Sequence, residues 1–433
     1  MQSNLDRLRA AFPSEGLFAE KDWLISPQPF PISDELHEQL EKLGYRLSLF
    51  NRACNELYQR SISGKQPAWI ADYLDRGKPP ELVEYARQKQ FRQDTPLVIR
   101  PDLVLTDEGF TLAEVDSVPG GIGLTGWLNQ AYTDLGYPVL GGARGMIEGF
   151  HSILDSKAKV LVSKEAATYR PEMQWLANAG GGALTVAEAE DFSPAGTADS
   201  PETLYRFFEL FDLPNIPAAK AIFEAAQQGA ARITPPVKPY LEEKMWFALF
   251  WLRPLHDFWR RELSERHFQA LQKHIPYTWL LDPQPLPQHA VIPGLEINSW
   301  AELLTMGQKH RELILKISGF HETAWGSRSV VLGSDLSQSD WTDSVETALK
   351  DFAHHPHILQ RFHKGRLFDH PYYDQSDGSV QTMRGRVRLC PYYFVINGKA
   401  ELRGALATVC PADKKLLHGM KDAILAPGGL GAG

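Results

Sequence analysis

Leu97 to Asp116 reads LVIRPDLVL, then Thr106-Asp107-Glu108-Gly109, then FTLAEVD. Apolar and polar residues alternate on both sides of a short break ending in glycine, which is the pattern of a β-hairpin. With a three-residue loop at 107–109, Thr106 faces Phe110; the same register sets Asp102 opposite Glu114 and Arg100 opposite Asp116. The four charged side chains then share one face, because each is two residues from its neighbour along the strand. Leu97, Ile99, Leu103, Leu105, Ala113 and Val115 supply an apolar opposite face. Like charges directly opposed destabilise a strand pair, so Asp102 and Glu114 need a compensating cation. A divalent metal would supply it, and the oxygen-only donors Asp102, Glu114 and Asp116 favour Mg²⁺ or Mn²⁺ over zinc. The plain alternative is a solvated outer face whose charges meet only water.

Around this hairpin lies a chain of 433 residues, material for two or three domains at about 150 residues each. Hydrophobic residues make 43% and charged ones 23%, which excludes a disordered chain and a membrane protein. The net charge of −8 offers no basic field to a nucleic acid, so a polyanion must meet a local pocket. Cys54, Cys390 and Cys410 form no CxxC pair, which argues against a disulfide framework or a thiolate zinc site and fits a reducing, cytoplasmic location. The N-terminal MQSNLDRLRAAF carries charge where a signal peptide needs an apolar stretch, and the run Met245 to Leu252 is too short to span a bilayer. Neither nucleic acid nor membrane is therefore expected as a partner.

Residues 1–95 read as a helical region, with Leu36, Leu40, Leu43, Leu47, Phe50 and Leu57 at helical spacing and no visible chemistry. KVLVSK, a helix through Trp175 and ALTVAEAEDF read as strand, helix, strand in a parallel open sheet. Helices are expected over 203–230, and one long aromatic helix over 242–261. Strand patterns return at LILKISG (313–319), SVVLG (329–333), HILQRF (357–362), RVRLCPYYFVI (386–396) and AELRGALATV (400–409); the final APGGLGAG reads as a loose tail. The expected division is a helical region 1–95, a hairpin and open α/β domain 96–235, and nucleotide-binding lobes 236–425.

Arg100-Pro101-Asp102 and Glu114-Val115-Asp116 resemble the RxD and ExN motifs of glutathionylspermidine synthase-like, circularly permuted ATP-grasp proteins. The order is similar too: the hairpin precedes Thr234-Pro235-Pro236, Lys244 and its apolar helix, the strand ending in Lys316, and HILQ ending in Gln360. This resemblance covers roughly 96–410. It implies an α/β (α+β) fold: an ATP-grasp of circularly permuted order, with mixed and antiparallel sheets behind a helical N-terminal region. It also implies Mg²⁺ on Asp102, Glu114 and Asp116, ATP held by Lys244, Lys316, Gln360, Arg328 and Arg386, and Arg100 steadying a phosphorylated substrate. ATP carries close to four negative charges, so lysine point charges suit it, and Lys316 within an apolar strand is costly to bury without a partner. The loop Gly319 to Arg328 would close over the triphosphate. Two departures stand out: Asp116 replaces Asn, and Glu242-Glu243 replaces Ser-Asn before the first lysine.

The implied activity is that of an ADP-forming, Mg-ATP-dependent carboxylate–amine ligase working through an acylphosphate, with a small-molecule or peptide acid and an amine as co-substrates. A catalytically inactive nucleotide-binding or scaffold protein of the same fold is the rival, and a kinase stopping at the phosphorylated acid a third. His354, His355, His357, His363 and His370 lack metal-site spacing, Gly120, Gly121 and Gly123 lack a phosphate-loop pattern and are expected to let backbone approach a substrate, and Ser117 lacks a nucleophile elbow.

Overall fold

A computed structural model describes residues 4–11, 23–116, 118–155, 157–182, 184–287, 289–324, 328–374, 376–417 and 422–431. The chain divides into two compact units, the first made of Met1–Asn51, Asp94–Val237 and Lys364–Gly433, the second of Arg52–Gln93 and Lys238–His363.

In the first unit an eight-stranded mixed sheet runs in the order Leu24–Ile25, Ile424–Gly429, Lys399–Pro411, Val380–Ile396, Val98–Thr106, Gly109–Asp116, with Leu367–Tyr373 and Phe30–Pro31 paired off this path. Val98–Thr106 is interior, so Val98 and Ile99 are both buried although they point to opposite faces. Asn397-Gly398, both at positive φ, joins the two longest strands with the twist a two-residue hairpin turn needs.

The charged end of the hairpin has the expected register: Arg100 pairs with Asp116 and Asp102 with Glu114. It arrives there differently. Thr106 pairs with Gly109, one residue short of the expected Phe110, and a bulge beside Asp102 and Leu103 absorbs the difference. The tail expected at 426–433 is corrected as well. Ile424–Gly429 is a buried strand between Lys399–Pro411 and Leu24–Ile25, and Gly428 and Gly429 pack so closely on Ile32 and Pro29 that a side chain would collide. Residues 432 and 433 lie outside the described part.

The second sheet of this unit is parallel, ordered Thr185–Glu188, Lys159–Val162, Glu202–Phe207, Ala231–Thr234. Lys159–Val162, Arg170–Ala179 and Thr185–Glu188 form the expected strand, helix and strand. The helix expected from 203 is instead the strand Glu202–Phe207, followed by Ala219–Gln227 as the helix. Helices cover both faces of such a strand, so it carries no alternation to read.

The second unit holds an antiparallel sheet ordered Val331–Leu332, Leu313–Ile317, His357–Arg361, Thr278–Leu280, whose core includes Leu313, Leu315, Leu359, Trp279 and Trp341. The single aromatic helix expected over 242–261 is two, Met245–Trp251 and His256–Leu263, broken at Arg253-Pro254 where proline removes a donor and crowds the preceding turn. Trp246, Leu249 and Phe250 are buried, so this stretch is core. Among the described residues, no helix is long and apolar enough to cross a membrane.

Candidate functional site

In the first unit, three neighbouring strands bring charges to one face. Arg100 Nε lies 3.0 Å from Asp102 Oδ1, off the line of a good hydrogen bond, while Arg100 Nη2 donates to Asp116 Oδ2 at 3.1 Å. Arg388, on Val380–Ile396, donates from Nη1 to Asp102 Oδ2 at 3.3 Å. The Cys390 thiol approaches Asp102 Oδ1 at 3.4 Å, and Asp116 Oδ1 accepts the Val118 amide at 2.9 Å. Burial alone would depress the Arg100 guanidinium, yet Asp102 and Asp116 outweigh it and hold it charged. Burial raises the Asp116 carboxyl, Arg100 opposes that shift and Glu114 adds to it. Burial, with Asp102 alongside, pushes the Cys390 thiol up to about 12, which removes it as a nucleophile at neutral pH.

A divalent cation was expected to compensate the carboxylates. Here Arg100 and Arg388 supply positive charge, and each oxygen of Asp102 and Asp116 already faces a protein donor, Cys390 and Arg388 for Asp102, Val118 and Arg100 for Asp116. Among the described residues no three His, Cys, Asp or Glu side chains converge as a metal cluster. As folded, the face does not fit a bare Mg²⁺ ion.

In the second unit, Lys316 on Leu313–Ile317 and Gln360 on His357–Arg361 project from one face of the sheet. Lys316 Nζ donates to Gln360 Oε1 at 3.0 Å, and Gln360 Nε2 donates to Thr278 Oγ1 at 3.3 Å; all three are buried. Lys244 immediately precedes Met245–Trp251. Its amide donates to the Ser318 carbonyl at 2.8 Å, two residues beyond Lys316, and its Nζ to the Ala324 carbonyl at 2.8 Å. The structure thus brings Lys244, Lys316 and Gln360 onto adjoining segments. Arg328 is exposed, three residues before Val331–Leu332, and 325–327 of the intervening loop lie outside the described residues.

Arg386 belongs to the first unit and has other occupations. Its Nε donates to the Gly365 carbonyl at 3.0 Å and its Nη1 to those of Ala412 and, at 3.5 Å, Lys414, so the guanidinium ties backbone together. The glycines at 119–123 also serve packing. A side chain on Gly120 would collide with the Tyr169 ring and one on Gly123 with the Glu172 backbone, while Glu172 accepts the amides of Gly121 and Leu124. The close approach expected toward a substrate is made to the protein itself. His370 is buried against Ser26 in the first unit, remote in sequence from the His321–His355 ring pair of the second.

Sequence reading sees Arg388 only as one of three arginines, with Arg384 and Arg386, alternating along a late strand and not as the partner of Asp102, and it misses Lys78, which pairs with Glu243 at 2.5 Å inside the second unit. No pattern within 1–95 marks Lys78.

No protein-family model matches the chain, and no curated protein matches it in sequence. Among solved structures it is similar to a glutathione synthetase-like effector from Globodera pallida in its apo form, at TM-score 0.53 and 12% identity over 99% of this chain and 95% of that one. A protein provisionally named gamma-glutamylcysteine synthetase, from Methylobacillus flagellatus KT, overlays at TM-score 0.41 and 12% identity over 93% and 89%, too loosely to carry an argument. At such identity the first likeness speaks to fold alone: the chain shares the mixed α/β fold of that effector.

Proposed function

We propose that this protein is an ATP-dependent ligase of circularly permuted ATP-grasp type, joining a carboxylate to an amine through an acylphosphate and releasing ADP and phosphate. The observation that carries the reading is the buried Lys316–Gln360 pair, on a strand followed at once by Ser318, whose carbonyl accepts the Lys244 amide. A lysine inside an apolar strand is expensive to keep charged without polar company, and its Nζ, drawn toward the Gln360 oxygen, is a point charge of the kind that suits a phosphate group.

In this reading Lys244 and Lys316 neutralise phosphate oxygens, the Gln360 amide offers both a donor and an acceptor to a nucleobase edge, and exposed Arg328 remains a candidate for further phosphate contact. Arg100 steadies the acid as its carboxylate becomes phosphorylated, holding a guanidinium fork toward developing negative charge. The chain's contribution is positioning and charge neutralisation, with no covalent enzyme intermediate. Mg²⁺ on Asp102, Glu114 and Asp116 would require the arginine partners of Asp102 and Asp116 to be shared or displaced.

That requirement favours one second reading, a nucleotide-binding or scaffold protein without turnover, because Arg100 and Arg388 already compensate the carboxylates. Screening acid and amine pairs for ADP release decides the matter. Pair-dependent ADP formation supports the ligase; ATP binding without release for any pair supports the scaffold.

A further inference from the structure

Glu243 stands where the resembled family has a polar uncharged residue, yet it is among the most enclosed charges in the second unit. Its side chain is 2% exposed and that of Lys78 1%, with 2.5 Å between Nζ and Oε1. The other oxygen, Oε2, accepts the Ser318 hydroxyl. Ser318 uses every group it has: its hydroxyl accepts the Met245 amide at 2.9 Å, its carbonyl accepts the Lys244 amide at 2.8 Å, and its amide donates to the Pro356 carbonyl at 2.9 Å. Gly319 follows, pressed so closely on Glu243 that an added Cβ would stand 2.9 Å from Cδ and 3.0 Å from Oε1. Lys78 also lies 5.5 Å from the Phe320 ring, whose residue adopts a positive φ of 45°.

Three chain segments therefore meet at one carboxylate: the turn at 76–78, the turn that presents Lys244, and the end of the strand that carries Lys316. Buried ion pairs add little net stability compared with apolar packing, but they define geometry strictly where every lone pair is used. We propose that Lys78, Glu243 and Ser318 form a positioning network that sets the backbone of Lys244 and the root of the 319–324 segment, so that both lysines face one anionic ligand. This rests on the nucleotide reading for the ligand's identity, while the anchoring itself does not.

The test combines hydrogen–deuterium exchange with calorimetry of Mg-ATP binding on the full chain. Lys78→Met/Glu243→Leu removes both charges together and avoids a stranded one; Gly319→Ala leaves the charges in place and displaces the carboxylate. In both, exchange at amides 244–246 and 318–320 should accelerate about tenfold or more while the strand 357–361 keeps its protection, and ATP affinity should fall about tenfold, the size expected when a charge-assisted contact is misplaced. Exchange at those amides unchanged from the parent in either folded variant overturns the positioning role. Should the double variant not fold, Gly319→Ala decides alone. A parent that binds no ATP overturns the nucleotide reading, and the exchange comparison still decides the anchor.

Discussion

Arg388 reaches Asp102 across 286 residues of chain, with Nη1 at 3.3 Å from the carboxylate whose other oxygen lies 3.0 Å from Arg100. One acid thus separates two guanidinium groups that would otherwise repel each other on a sheet face. Replacing Asp102 by Asn takes one of two carboxylate partners from Arg100 and the carboxylate that Arg388 donates to, and removing one partner of such a pair costs about 3 kcal/mol. Denaturant unfolding of Asp102→Asn should show that loss in its midpoint; an unchanged midpoint means the arginines find enough compensation in water.

Glu114 acts in the opposite direction. It faces Asp102 across the hairpin and helps raise the Asp116 carboxyl, so it adds a like charge to that face. Glu114→Gln measured in EDTA should melt at or above the parent, by up to about 1 kcal/mol. A clear loss of stability would assign Glu114 a stabilising ion pair.

For Lys316, the expectation is a binding effect. Lys316→Ala removes a charged donor from the buried polar group it shares with Gln360 and Thr278, and ATP affinity should fall at least about tenfold by calorimetry. Unaltered affinity in the folded variant would take the residue out of the nucleotide site.

Burial depresses the His370 imidazole from 6.5 to about 4. The unfolded chain therefore binds a proton that the folded chain refuses between those values, and stability is lost as pH falls through 6.5 toward 4. The full contribution is about 3 kcal/mol. Urea midpoints of the parent and His370→Phe across this window should differ in slope, the variant being flatter; parallel curves would mean that His370 does not govern the acid limb.

Gly123→Ala should destabilise by at least about 2 kcal/mol, since the new methyl would stand 2.3 Å from the Glu172 carbonyl oxygen and backbone cannot step aside as a side chain can. An alanine variant as stable as the parent would show that the helices Ile122–Asp134 and Arg170–Ala179 can part at little cost.

What could be read in the sequence followed from short-range periodicity. The hairpin's charged pairs were legible because alternation survives on both strands, although the turn was one residue shorter than supposed and the bulge restored the register. Glu202–Phe207 was not, because a strand buried on both faces carries no alternation. Gly428 and Gly429 read as a tail because glycine offers no side chain to mark a buried strand. Lys78 and the pairing of Arg388 with Asp102 escaped notice for a different reason: the partners lie 165 and 286 residues away, and no local pattern encodes a long-range ion pair.

The placement of Ile424–Gly429 bears on the order of assembly during synthesis. Leu24 pairs with Ile424 and Ile25 with Leu425, so two strand segments 400 positions apart (424 − 24) cannot join until the later one has been made. Until then Lys399–Pro411 has one unsatisfied edge and the 24–25 segment has no ladder to join. The mixed sheet therefore closes only after 424–429 has emerged, whereas the parallel sheet of Lys159–Thr234 can form as soon as its own four strands are made.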